Sequence, residues 1–154
     1  MADAYLTALT MLSRRELSEA QVRTRLARKQ FEDDEIESAV ERLRQEGTLN
    51  DRRVALAVAR LESTVRHRGR SRVVQKLRAL GIDGEVAESA VNEVFEEVDE
   101  GALLDRAFAR RLRGQAPKDL DDKGRARIVR GLAAQGFPFD AIMKRLKGGP
   151  DHLQ

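Results

Sequence analysis

With 154 residues, 41% of them apolar, 36% charged and only 4% aromatic, the chain can bury a core built mainly from Leu, Val, Ile and Ala, a composition that favours helices packed on helices. The absence of cysteine excludes disulfides, thiolate metal sites and thiol nucleophiles, and fits a reducing compartment. The 29 basic and 26 acidic side chains nearly cancel to a net charge of +3, so the placement of charge along the chain is more informative than its sum.

The N-terminal stretch "MADAYLTALTMLSRREL" has no basic region ahead of an apolar core, and no run approaches the roughly 18 apolar residues of a membrane span. A soluble, cytoplasmic protein without membrane contact is expected. A first helix is predicted over "AYLTALTMLSRR" (4–15). "SEAQ", Ser18 to Gln21, is a capping-box pattern that opens a second helix, and Asp33 is placed to cap a third. A helix over "RRVALAVARLESTV" (52–65) comes next, then a basic helix closed by Gly81 and another capped by Asp83. "ALLDRAFARRLR" (102–113) leads into the loop "GQAPKDLDD" (114–122), whose Asp121 and Asp122 suit a helix start. Gly136 suits the left-handed residue ending that helix, and Pro138 the first turn of the last one. "GGPDHLQ" (148–154) reads as a frayed tail.

This succession is a repeat. "VRTRLARKQFEDDEIESAVERL" (22–43) aligns without a gap on "VVQKLRALGIDGEVAESAVNEV" (73–94), and "IVRGLAAQGFPFDAIMKRL" (128–146) supplies a third copy. Each apolar stripe needs neighbours, so three tandem three-helix bundles are expected, at 1–49, 50–99 and 100–147, stacked into an elongated, curved all-α array of either hand. Tyr5, Phe31, Phe95, Phe108, Phe137 and Phe139 fall at or near apolar positions and are read as core rather than as a base-stacking platform.

Charge alternates along the repeat. Residues 66–82, "RHRGRSRVVQKLRALGI", carry six basic and no acidic side chains, 83–105 carry nine acidic and no basic, and 106–131 carry nine basic against three acidic. The basic stretches have three readings: a DNA-binding surface, a docking surface for an acidic protein, or the solvated side of ordinary helices. A helix-turn-helix reader would send the helix after the turn into the major groove. In copies one and two that helix is strongly acidic, which opposes phosphate attraction. The last helix, with Lys144, Arg145 and Lys147, escapes the objection, and these are candidate DNA contacts. No phosphate-cradling glycine loop, metal-ligand spacing or catalytic constellation is visible, and His67 and His152 are isolated. No enzymatic activity, catalytic residue, metal or cofactor is expected.

Three segments together resemble the RecX family of RecA recombinase regulators: "LSRRELSEAQVRTRLARKQF" (12–31), "GTLNDRRVALAVA" (47–59) and "RGRSRVVQKLRALGI" (68–82), with "RARIVRGLAAQGF" (125–137) as the third copy's counterpart. The resemblance covers about residues 4–147. Gln30 stands where the family pattern has glycine, Thr48 where it has an aromatic, and Asn50 where it has the first aspartate of a pair. What the resemblance implies is a non-enzymatic protein of DNA repair, homologous recombination and the SOS response. It would lie, as a monomer, in the groove of a RecA filament on single-stranded DNA and restrain filament growth, ATP hydrolysis and strand exchange. Under that reading Arg66, Arg68, Arg70, Arg72, Lys76 and Arg78 form a cationic face toward acidic groove surface or DNA phosphates, with Arg125, Arg127 and Arg130 as a second basic site. The alternative is a helical-repeat protein that binds DNA directly.

Overall fold

The computed structural model describes residues 3–148, so the C-terminal tail beyond Gly148, with His152, lies outside the described residues. Within them the chain is all-helical, without a strand. The helices are α1 (Ala4–Arg14), α2 (Glu19–Arg28), α3 (Asp33–Gln45), α4 (Asp51–Arg60), α5 (Arg70–Ala79), α6 (Gly84–Glu96), α7 (Glu100–Leu112), α8 (Asp122–Ala134) and α9 (Phe139–Gly148). A π-helical turn, Leu61–Val65, extends α4, and a short 3₁₀ turn, Pro117–Asp119, interrupts the loop before α8.

Local chemistry sets most boundaries. Ser18 Oγ accepts the Gln21 N–H at 3.1 Å while Gln21 Oε1 accepts the Ser18 N–H at 2.9 Å, completing the capping box of α2. Asn50 caps α4 by accepting the Arg53 N–H at 3.0 Å, and Asp121 caps α8 by accepting the Gly124 N–H at 2.7 Å. Two expected caps differ. Glu32, not Asp33, occupies the N-cap of α3 in a capping box with Glu35, and Asp83 sits at the N-cap of α6 without a side-chain cap bond.

The apolar residues segregate into two clusters. One joins α1, α2 and α3 around Ala8, Leu17, Val22, Leu26, Val40 and Leu43; the other runs through α4 to α9 around Ala55, Val73, Leu77, Val91, Leu104 and Leu132. Phe95, Phe108 and Phe137 lie in the second cluster, and Tyr5 and Phe31 pack at the edge of the first. Phe139 is the exception: as the first residue of α9 it is 60% exposed.

The three-helix sets are joined end to end through their second helices. Ser18, at the N-cap of α2, is fully buried and donates its hydroxyl to the Leu80 carbonyl at the C-cap of α5 (2.5 Å). Gly69, at the N-cap of α5, donates its N–H to the carbonyl of Gln135 at the C-cap of α8 (2.7 Å), and Ser71 Oγ donates to the Gly136 carbonyl (3.0 Å). Each junction satisfies a carbonyl that a helix end leaves without an internal partner, and brings a negative dipole end against a positive one. The second helices therefore succeed one another in the order α8, α5, α2. At the α2–α5 junction the Asp51 carboxylate also accepts the Glu19 N–H (2.8 Å), and burial raises the pKa of that carboxyl. Arg53 ties the same region by pairing with Glu16 (2.8 Å) and donating to the Gly47 and Thr48 carbonyls.

The residue closing each second helix is left-handed: Gln30 at φ 70°, Gly81 at 80° and Gly136 at 103°. Glycine is demanded twice over at the two docked ends, by φ and by the neighbour. A Cβ at Gly81 would collide with Ala20 Cβ, and one at Gly136 would lie 2.5 Å from Arg72 N. Gln30 ends α2, onto which no other set docks, and it is exposed, so only the conformational demand remains. Replacing Gln30 with glycine is expected to stabilise the protein by about 0.5–1 kcal/mol, the relief of left-handed strain outweighing the added freedom of the unfolded chain. A shift of the urea midpoint at unchanged slope measures this.

Candidate functional site

In the first three-helix set one cation of the basic helix, Arg23, is compensated by its neighbours, while Arg25 and Arg28 have no ion pair among the described residues. Arg23 bridges Glu37 at 2.6 Å and Glu19 at 3.1 Å, and Arg44 reaches Glu19 at 2.5 Å. Partial burial alone would raise the Glu19 pKa, but the two guanidiniums outweigh it and hold the carboxyl below its ordinary value. Glu37, hydrogen-bonded by Arg23, is lowered as well.

The 66–82 stretch is likewise only partly compensated. It begins where the π turn ends, with Arg66 donating its N–H to the Leu61 carbonyl at 3.1 Å and His67 at φ 54°. Such a turn bulges the helix and re-aims the chain beyond it. Arg66 pairs with Glu62, a buried carboxylate one turn back (3.2 Å). Arg70 is half-buried: it lies over the Phe95 ring at 5.2 Å, bonds Asn92 and reaches Glu100 at 3.4 Å. Arg72, Lys76 and Arg78 stand exposed along α5, and among the described residues no ion pair engages them or Arg68.

Arg127 and Arg130 are exposed on α8, whose C-terminal end docks on the start of α5, so the two basic segments are consecutive rather than separate. Arg125 is half-buried and donates to the Pro117 carbonyl at 3.4 Å. The candidates on α9 are split. Lys144 and Lys147 are exposed, but Arg145 is 4% exposed, pairs with Asp105 on α7 at 2.9 Å and donates to the Gly101 carbonyl at 3.3 Å. Its charge is committed to holding α9 against α7, so it does not belong to an external contact surface.

A cleft of about 850 Å³ lies where the turn before α5 faces α7 and α8. Arg66, Arg68 and Arg127 line it, and so do Arg106, Arg110, Arg111 and Arg113, which sequence reasoning counted as basic without assigning to a site. Among the described residues no acidic side chain lines the cleft. The 106 and 110 positions recur at helical spacing on α7, the one signal that marks them as a common face, and Arg113 follows as the left-handed residue at its C-cap. Arg111 is structural as well: Nε donates to Gln135 Oε1 at 2.9 Å, and its guanidinium lies over Gly131, where a Cβ would have to displace it.

No group of three or more His, Asp or Glu side chains among the described residues is placed to hold a metal, and none of the described helices is long and apolar enough to cross a membrane.

Residues 4–43 match the family model for the first three-helix domain of RecX. A "Regulatory protein RecX" of Syntrophotalea carbinolica is 38% identical over 136 residues, covering 88% of each chain. Those of Trichlorobacter lovleyi and Pseudomonas entomophila are both 33% identical, over 144 and 147 residues, covering 92% of this chain and 92% and 88% of theirs. The fold matches a crystal structure of regulatory protein RecX with a TM-score of 0.78 at 20% identity, over 91% of this chain and 68% of that one. It matches RecX from Lactobacillus salivarius at 0.72 and 23% identity, over 92% and 90%. With a relative this similar along most of both chains, and the tandem three-helix architecture in common, the chain belongs to the RecX family of regulatory proteins.

Proposed function

We propose that this protein is a non-enzymatic, cytoplasmic regulator of the RecA recombinase that binds, as a monomer, in the groove of the RecA filament on single-stranded DNA. There it restrains filament growth, ATP hydrolysis and strand exchange. The observation that carries the reading is the end-to-end docking of α8 on α5, which sets Arg127 and Arg130 in sequence with the unpaired Arg68, Arg72, Lys76 and Arg78. A helical filament repeats its surface at regular intervals. A ligand of three similar units, 1–49, 50–99 and 100–147, meets that surface with repeated contacts, so a single molecule engages more than one recombinase subunit and gains effective concentration from each. Restraint results if the bound array fits one relative arrangement of subunits better than the others, because a ligand shifts an equilibrium only by its differential affinity.

The test is the single-strand-dependent ATPase of the cognate RecA titrated with this protein. Suppression at less than one molecule per recombinase subunit is expected. An ATPase unaffected at a several-fold excess excludes the reading.

A further inference from the structure

The arginine cleft between the turn at 66–68 and helices α7 and α8 has properties the filament-facing row does not require. Elsewhere in the molecule several guanidiniums are matched by carboxylates, Arg23, Arg42, Arg44, Arg52, Arg53 and Arg145 among them, and those that are not, such as Arg14, Arg15 and Arg28, are not gathered with others in a cleft of this size. In the cleft Arg68, Arg106, Arg110, Arg113 and Arg127 have no ion pair among the described residues, and no acidic group lines its wall. Like charges gathered in a concavity repel one another and focus a positive potential into it, an arrangement that an entering anion relieves.

The geometry points to a phosphodiester site: the cleft takes the backbone of a single nucleic-acid strand, directly and without regard to base sequence. Three features select this ligand. The Lys and Arg side chains lining the cleft are all arginines, and the planar guanidinium fork matches phosphate oxygens in pairs. Among the described residues no aromatic ring apart from the His67 imidazole and no carboxylate lines the wall, so bases have little to stack on and sugar hydroxyls have no anionic acceptor; what the cleft reads is charge. Its volume of about 850 Å³ falls within the range of small-ligand clefts, room for a short run of one strand. The site spans the second and third three-helix sets, so a bound strand ties Arg68 to α7 and α8 across the junction at Gly69 and Gly136.

This inference does not depend on any recombinase, and its test contains none. The full chain is titrated into a fluorescein-labelled oligothymidylate, then an oligoadenylate of the same length, and anisotropy is measured from low to physiological salt. Equal binding of both is expected, weakening with salt at about 0.7 log unit per log unit of salt for each phosphate neutralised. The variant R106Q/R110Q/R113N keeps helix-forming glutamine on α7 and a residue that tolerates the left-handed conformation at 113. It should bind at least tenfold more weakly, with a salt slope shallower by about 2. R14Q/R15Q/R28Q, which removes as many exposed cations from the first set, should change the slope by much less.

Hydrogen exchange of the wild-type protein with and without oligothymidylate gives a readout that needs no substitution: protection should concentrate at 66–68 and 106–128. Failure of either oligonucleotide to bind at low salt, an α7 variant with wild-type affinity and slope, or protection confined to other segments would overturn the proposal. Competition by polyglutamate as effective as that by unlabelled oligonucleotide would also overturn it, showing a site for carboxylates in general.

Discussion

Gly136→Ala should destabilise the protein by about 3–5 kcal/mol, whereas Gly47→Ala, at a similar loop φ, should cost about 1–2 kcal/mol. Both glycines have positive φ, 103° and 78°, so both substitutions carry the conformational penalty of an L-residue there. Only Gly136 adds a collision. Its Cβ would lie 2.5 Å from Arg72 N, 2.6 Å from Arg72 Cβ and 2.8 Å from the Gly69 carbonyl oxygen, whereas nothing lies within 4 Å of one built on Gly47. Two of those three atoms are backbone, so relief requires the junction itself to open, with loss of the Gly69 to Gln135 and Ser71 to Gly136 hydrogen bonds. The pair of unfolding midpoints in urea separates the two contributions, and equal costs for the two variants would show that the close approach does not constrain the junction. Gly81 offers an internal check, because its obstruction is a side chain: Gly81→Ala should be partly rescued by Ala20→Gly, which removes the Cβ it meets.

Reversing Arg68, Arg72 and Lys76 to glutamate should weaken binding to the RecA filament on single-stranded DNA by at least 100-fold while leaving helicity and unfolding midpoint nearly unchanged. Arg72 and Lys76 are exposed and Arg68 half-buried, and none is engaged by an ion pair of the described residues, so no buried partner is orphaned. Arg72 is the third residue of α5, where a carboxylate is favoured by the helix dipole. The swap changes the local charge by six units, and juxtaposed like charges at an interface cost several kcal/mol. Binding of labelled protein to preformed filaments, with far-UV circular dichroism as the folding control, measures both. Filament affinity equal to wild type would remove this face from the interface.

Most of what could be read locally from the sequence holds in the structure, the caps expected of Asp33 and Asp83 excepted. The capping box at Ser18 and Gln21, the left-handed glycines at 81 and 136 and the buried stripe of Val73, Leu77, Ala87 and Val91 depend on residues within one or two turns of each other. What escaped depends on distant partners. Arg145 looked like any cation on the solvent side of a last helix, and nothing near it in sequence announces Asp105, forty positions earlier. The junction bonds from Ser18 to Leu80 and from Ser71 to Gly136 join residues 62 and 65 positions apart. Periodicity within a copy carries no information about how copies meet, so the consecutive placement of α8 and α5 and the arginine cleft beside it were out of reach. The π turn at Leu61–Val65 escaped too, because its sequence continues the helical pattern of α4.

End-to-end docking of second helices is a head-to-tail contact, and such a contact has no intrinsic stopping point: the same two surfaces, left bare at the ends of one molecule, would accept another and grow an open fibre. Both ends are blunted. At the free C-terminus of α2 the position held by glycine at the docked ends is Gln30, which carries the Cβ that Gly81 and Gly136 have no room for. At the other end α8 begins at Asp122, three residues earlier than the alignment with α5 requires, and its extra turn with the Asp121 cap extends past the point at which another chain would seat. The departure from glycine at position 30 thus leaves the end of α2 unlike the two docked ends, with a side chain where they have no room for one.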